Sequence, residues 1–102
     1  MSDDAKAIEE LAAVSEIKAS HTVEHYLYVP SHEAATLISE ELRRRGFRTE
    51  ERIGADEKNW LVLASHEVIP SENLLSLLRE SMEELAATAG GEYDGWEATV
   101  RR

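Results

Sequence analysis

Hydrophobic and polar positions change period several times along the chain, and each change marks an element. Residues 2–17 place Ile8, Leu11, Ala12 and Ser15 on one helical face, with Ser2 positioned to cap and Asp3 and Asp4 suited to the positive end of the helix dipole. The stripe is narrow, so such a helix holds only against the body or a partner, and residues 1–19 are expected to form a helical arm. From His21 to Val29 the period falls to two. Val23, His25, Leu27 and Val29 share one side and Thr22, Glu24, Tyr26 and Tyr28 the other, which predicts a strand ended by Pro30. Ser31 is placed to cap a helix through Arg45, with Ala34, Leu37, Ile38, Leu42 and the stem of Glu41 inward and Gly46 as its stop. Phe47–Ile53 alternates weakly and carries Arg48, Glu50, Glu51 and Arg52, charges that keep an edge strand from pairing with another copy. Gly54-Ala55-Asp56 reads as a turn. Trp60–Ser65 is almost wholly apolar, which predicts a central strand covered on both faces. Pro70-Ser71 opens a helix with inward Leu74, Leu77, Leu78, Ser81, Met82, Leu85 and Ala89. Gly90-Gly91 ends it, and Glu92–Val100 supplies the last strand.

After the arm the order is β-α-β-β-α-β with short connections. Two right-handed βαβ halves then interleave into one four-stranded antiparallel sheet with two helices on one face, an α+β ferredoxin-like sandwich spanning residues 20–102 with its first and third strands central. Tyr26, Tyr28 and one side of the Trp60 strand would face water on the second sheet face unless the arm, a ligand or another chain covers them.

Composition narrows the function. A chain of 102 residues, 42% hydrophobic and 31% charged, is one folded domain without an interdomain cleft. Eleven Lys and Arg against 21 Asp and Glu leave a net charge of −10, which disfavours direct nucleic-acid binding and favours a basic protein partner. The absence of cysteine removes disulfides, thiolate nucleophiles and Cys-based zinc sites, and points to the cytoplasm. The start Met1-Ser2-Asp3-Asp4 is acidic where a signal peptide is basic, and no apolar run is long enough for a membrane span.

Candidate chemistry is sparse. His21 and His25 lie too far apart along a strand to share one metal ion. His25 and His66 can approach across adjacent strands but lack a clear third ligand, so the favoured reading is a half-buried His25 with a hydrogen-bonded ring, and no cofactor is expected. Ser65-His66-Glu67 cannot form a triad, because consecutive strand residues point to opposite faces. No glycine-rich phosphate cradle is present. Arg43, Arg44, Arg45, Arg48 and Arg52 read as a helix C-terminus and a charged edge, neutralised by Glu40, Glu41, Glu50 and Glu51. Five aromatics, Tyr26, Tyr28, Trp60, Tyr93 and Trp96, fall in strands of one sheet. Trp96 shares core parity with Ala98 and Val100, and exposed members suit a protein interface.

Tyr93-Asp94-Gly95-Trp96 resembles the ending of the regulator of ribonuclease activity B (RraB) family, small acidic inhibitors of ribonuclease E. His21-Thr22-Val23-Glu24-His25 is similar to that family's first strand, Gly46-Phe47 to its second-strand entry and Trp60–Ala64 to its central strand, so the resemblance runs over residues 20–100. It implies a ferredoxin-like fold and a non-enzymatic role: family members bind the Arg-rich scaffold region of the endoribonuclease, away from the RNA-cleaving site. They thereby reduce turnover of some transcripts and change the composition of the RNA-degrading assembly. The acidity then steers the chain toward that segment. Asp94 is expected to accept turn or partner hydrogen bonds, and Gly95 to permit a turn or close approach beside Trp96. Longer members continue into an acidic tail where this sequence reads Val100-Arg101-Arg102, and a function carried by that tail is expected to be missing.

The leading expectation is a cytoplasmic, non-catalytic regulator that binds a protein, and neither nucleic acid nor membrane, through Tyr26, Tyr28, Trp60, Glu80, Glu83, Glu84, Tyr93, Asp94 and Trp96. Its rivals are a small-molecule sensor using Tyr26, Tyr28 and Trp60 on the open sheet face, and an enzyme with His25 or His66 in a cavity.

Overall fold

Strict alternation in the first strand is reproduced in burial: every odd residue from His21 to Val29 is buried and every even one half-buried. The computed structural model describes residues 3–14 and 19–99. Its elements are α1 (Asp3–Val14), β1 (His21–Val29), α2 (His32–Arg44), β2 (Arg48–Ile53), β3 (Trp60–Val68), α3 (Glu72–Thr88) and β4 (Glu92–Ala98). The expected cap Ser2, the helical positions 15–17 with Ser15, and the strand end at Val100 lie outside the described residues.

The strands form one antiparallel sheet in the order β2-β3-β1-β4, which makes the chain α+β with β1 and β3 central and the charged β2 at an edge. Serines set the starts of the two body helices. The Ser31 hydroxyl accepts from the Ala34 N–H at 3.1 Å and the Ser71 hydroxyl from the Leu74 N–H at 3.2 Å, each satisfying an amide the helix cannot. Both helices end in the paired bonds of a Schellman motif: Gly46 and Phe47 donate to the carbonyls of Arg43 and Leu42, and Gly90 and Gly91 to those of Ala87 and Ala86.

The core lies on one face of the sheet. Leu27, Val29, Val62 and Ala64 meet Ala35, Ile38 and Leu42 of α2 and Met82 and Ala86 of α3, so both helices cover the same side. Three expectations need correction. α2 buries Ala35, Ile38, Ser39 and Leu42 and leaves Leu37 61% exposed, because the small Ser39, and not Leu37, sits where the helix approaches the sheet. α3 buries Leu75, Met82 and Ala86 and leaves Leu77 66% exposed; leucines at 74, 75, 77 and 78 make several helix rotations look equally apolar. β3 is covered on one face only, and Leu61 and Leu63 remain half-buried on the other. α1 joins the helix layer beside α3, with Leu11 buried, and leaves the second sheet face partly open. Among the described residues no helix is long and apolar enough to cross a membrane.

Candidate functional site

The open sheet face is built by the even residues of β1. Tyr26 stands opposite Leu63 of β3 and Gly95 of β4, Tyr28 opposite Leu61 and Glu92, and Glu24 opposite Ser65 and Glu97. β2 adds Arg48, Glu50 and Arg52 across from Ser65, Leu63 and Leu61. Charges on the β2/β3 side are paired. Arg48 donates twice to Glu67 at 2.8 and 3.0 Å, and Arg52 donates to Glu50 at 3.1 Å. On the β1/β4 side, Glu24, Glu92, Asp94 and Glu97 have no cationic partner among the described residues, and the Tyr26 hydroxyl donates to Glu97 at 3.1 Å. Burial raises the Tyr26 phenol, and the Glu97 hydrogen bond and the charges of Glu97 and Glu24 raise it further against the opposing Arg52.

A bulge shapes the β4 edge of this face. Gly95 pairs with Tyr26 and Tyr93 with Leu27, so Asp94 is left over and projects from the ladder. Gly95 has φ +111°, and a Cβ there would meet nothing within 4 Å, so the glycine answers the backbone angle and not a close approach. The result is a cleft of about 250 Å³ lined by Tyr26, Tyr28, Asp94, Gly95, Trp96 and Glu97.

The other three expected aromatics lie on the helix-covered side. Trp60 is opposite Val29 and Ile53, packed on the core, with the His32 ring stacked on it at 4.2 Å between centroids. Tyr93 is bonded to His25 Nδ1 at 2.8 Å, and His25 Nε2 lies 3.0 Å from His66 Nε2, beside Phe47. One proton serves the contact between the two Nε2 atoms, so one ring donates and the other accepts. His25 has no accessible surface, and burial followed by repulsion from His66 pulls its pKa down to about 4. Burial also lowers His66, with Glu67 opposing and Arg48 adding to the fall, and burial lifts the Tyr93 phenol well above its usual range. Ser65 and Glu67 face away from His66, as strand alternation requires. Among the described residues no group of three or more His, Asp or Glu is arranged to hold a metal ion.

Trp96 ties the sheet to the arm. Its indole N–H donates to Asp4 at 3.0 Å, and Arg79 donates to the same carboxylate from Nε at 3.1 Å and Nη2 at 3.0 Å. Asp4 is 2% exposed. Burial alone would raise its pKa, but the hydrogen bonds from Arg79 and Trp96 and the Arg79 charge outweigh that and hold it below the usual value. Arg79 also lies over the Tyr93 ring, 5.5 Å from the centroid. Removing the carboxylate in Asp4→Ala is expected to release α1 at a cost of about 2 kcal/mol while the sheet stays folded. Hydrogen exchange would then show protection lost in α1 alone.

The expected site residues therefore fall in three places. Tyr26, Tyr28 and Asp94 share the open face; Trp60, Tyr93 and the indole of Trp96 do not; Glu80, Glu83 and Glu84 are exposed on α3, where Glu83 lies 3.7 Å from Arg79. Of the clustered arginines, Arg44 and Arg45 both bind Glu41. Sequence reasoning missed Glu24 and Glu97, although Glu24 shares strand parity with Tyr26 and Tyr28. Asp4 and Arg79, far apart in the chain, gave no local signal.

A sequence model of the family described as regulator of ribonuclease activity B matches residues 2–98, nearly the whole chain. No curated protein matches it.

Proposed function

The chain belongs to the regulator of ribonuclease activity B family, and from that premise we propose that it is a non-catalytic protein that binds a ribonuclease and restrains or redirects its activity. The match over residues 2–98 carries this reading. The net charge of −10 supports a basic protein segment as the target and disfavours competition for the RNA itself. So does the fate of the histidines most suited to acid-base work: His25 and His66 spend their facing nitrogens on each other, and His25 has no surface to offer a substrate. In this account the partner is an endoribonuclease of the ribonuclease E type, engaged in the cytoplasm through its Arg-rich scaffold region. Residues 20–102 form a ferredoxin-like domain that does the binding without a cofactor, a reading supported by the central β1 and β3, and residues 1–19 form the accessory arm.

Two surfaces suit such a partner, the aromatic and acidic open face and the exposed Glu80, Glu83 and Glu84 of α3. Reversing the three α3 charges together is expected to slow association at low salt, with some loss of stability because Glu83 neighbours Arg79. Binding to purified full-length ribonuclease, followed by surface plasmon resonance across a salt series, tests the proposal. Saturable binding that weakens with salt supports it, and no binding by the folded protein overturns it. The metabolite-sensor reading is less well supported, because Trp60 lies on the opposite face from Tyr26 and Tyr28.

A further inference from the structure

Across the strands, the open sheet face is laid out in rows. In the order β2-β3-β1-β4 the registers align Arg52, Leu61, Tyr28 and Glu92 in one row, Glu50, Leu63, Tyr26 and Gly95 in the next, and Arg48, Ser65, Glu24 and Glu97 in the third. Each outer row is basic at the β2 edge and acidic at the β4 edge. Between the edges stand Leu61, Leu63, Tyr26 and Tyr28, all half-buried, with the helices on the other side of the sheet. The arginines are only loosely engaged. The Arg48–Glu67 and Arg52–Glu50 pairs are more than half exposed at both ends, and such pairs contribute little in water. Arg48 uses Nη1 and Nη2 in these contacts and Arg52 only Nη2, so both guanidiniums keep N–H groups for a second carboxylate.

We infer that this face is a self-association surface: two copies pack sheet to sheet about a two-fold axis along the strands, the β2 arginines of each on the β4 glutamates of the other. Aligned packing of the face against itself allows two axes. One running across the strands sets β2 on β2 and brings Arg52 to Arg48 and Glu92 to Glu97, like against like. One running along the strands sets β2 on β4, and because a two-fold axis permits no slide along itself, each row meets its own reverse. Arg52 then faces Glu92 and Arg48 faces Glu97, each twice, while Leu61 meets Tyr28, Leu63 meets Tyr26 and Glu24 meets the Ser65 hydroxyl. Glu50 meets Gly95, which has no side chain to repel it. Tyrosines packed on leucines form the centre, and the charge pairs form the rim. By strand spacing and rise, a four-stranded face seven residues long measures about 19 by 24 Å, so two such faces bury on the order of 1,000 Å², enough for a reversible dimer. The net charge of −10 opposes self-association, but at physiological ionic strength repulsion is screened beyond about 8 Å, and facing pairs lie closer than that. Such a dimer turns both helix layers outward and leaves Glu80, Glu83 and Glu84 of α3 for a ribonuclease.

Sedimentation velocity of the full chain near physiological salt, from about 10 to 500 μM, reads the association. A monomer–dimer equilibrium is expected, and a chain that stays monomeric at the top of that range overturns the inference. Arg52→Glu and Glu92→Arg should each weaken the dimer by about tenfold or more, because each sets like charges face to face twice. The two substitutions shift the net charge in opposite directions, so a loss common to both is not an effect of overall charge. Combined in one chain they should restore the dimer, since the reversed pair is again complementary. A merely structural role does not produce that rescue. Both positions are exposed, and Arg48→Glu with Glu97→Arg repeats the test in the third row if either single variant melts without cooperativity. Single variants that dimerise as the parent does, or a double variant as weak as the singles, would overturn the inference. Tighter association of Arg52→Glu would do the same, by pointing to the axis across the strands. Glu80→Gln with Glu84→Gln on α3 should leave the dimer unchanged, and its loss there would move the contact to the helix side. No ribonuclease enters these measurements, so their failure leaves the proposed function standing.

Discussion

Replacing Gly91 by alanine is expected to unseat β4 from β1 and destabilise the protein by at least about 3 kcal/mol, a large share of the roughly 5–15 kcal/mol that holds a domain of this kind folded. A methyl group there would run into the backbone carbonyl oxygen of Tyr28 and lie 2.8 Å from Val29 Cγ1. The obstacle is the main chain of a central strand, which cannot turn aside as a side chain can. Gly91 also donates to the Ala86 carbonyl as it closes α3, so the chain has no slack on its other side. Shifting it would disturb the strand that carries Tyr93 to His25, Asp94 to the open face and Trp96 to Asp4. Urea unfolding followed by tryptophan fluorescence measures the change. A loss under about 1 kcal/mol would mean that β1 and β4 are not held at this separation.

Acid should weaken the fold before its carboxylates are neutralised. His25 is buried neutral, with a pKa of about 4 against 6.5 for a free imidazole. Between those values the unfolded chain binds the proton that the folded one refuses, so stability rises with pH across the window. It is fully present above about pH 6.5, falls as pH drops toward 4, and levels off below, for a total of roughly 3 kcal/mol. The lowered pKa of His66 adds in the same direction from the same starting point. Asp4 acts lower still: its folded pKa lies below 3.8, so its contribution is lost only in stronger acid. Tyr93 works at the alkaline end, where the unfolded phenol ionises first and stability declines above about pH 10. Urea midpoints between pH 7.5 and 4 measure the acid limb. His25→Leu should be less stable at neutral pH, because Tyr93 and His66 lose a partner, yet show a flatter slope between pH 6.5 and 4. An equally steep slope in that variant would place the titration elsewhere.

Much of this was legible in the chain because local rules agreed. β1 alternates without exception, Ser31 and Ser71 cap, and Gly46 and Gly90-Gly91 close the helices they follow. Helix rotation was not legible. Four leucines within 74–78 offer several apolar faces to α3, and the small Ser39 gives no hydrophobic signal though it is buried. The candidate site divides in the same way. Parity alone put Tyr26 and Tyr28 together on the open face. A period-two reading of β4 would set Tyr93 and Trp96 on opposite sides, but the extra residue Asp94 brings both side chains to the helix-covered side. That Glu24 and Glu97 face each other across β1 and β4 depends on cross-strand register, which no local pattern encodes. The arm's anchor was hidden for the same reason, since Asp4 finds Arg79 and Trp96 only after the sheet and α3 have formed.

The central expectation is that the protein changes what a ribonuclease does to RNA without cutting RNA itself. The most direct measurement is the rate at which a purified full-length endoribonuclease of the ribonuclease E type cleaves a natural transcript as this protein is titrated in. A saturable fall in rate that is relieved by salt, with no cleavage when the protein is incubated with RNA alone, is the predicted result. An unchanged rate at saturating concentrations of folded protein would contradict it.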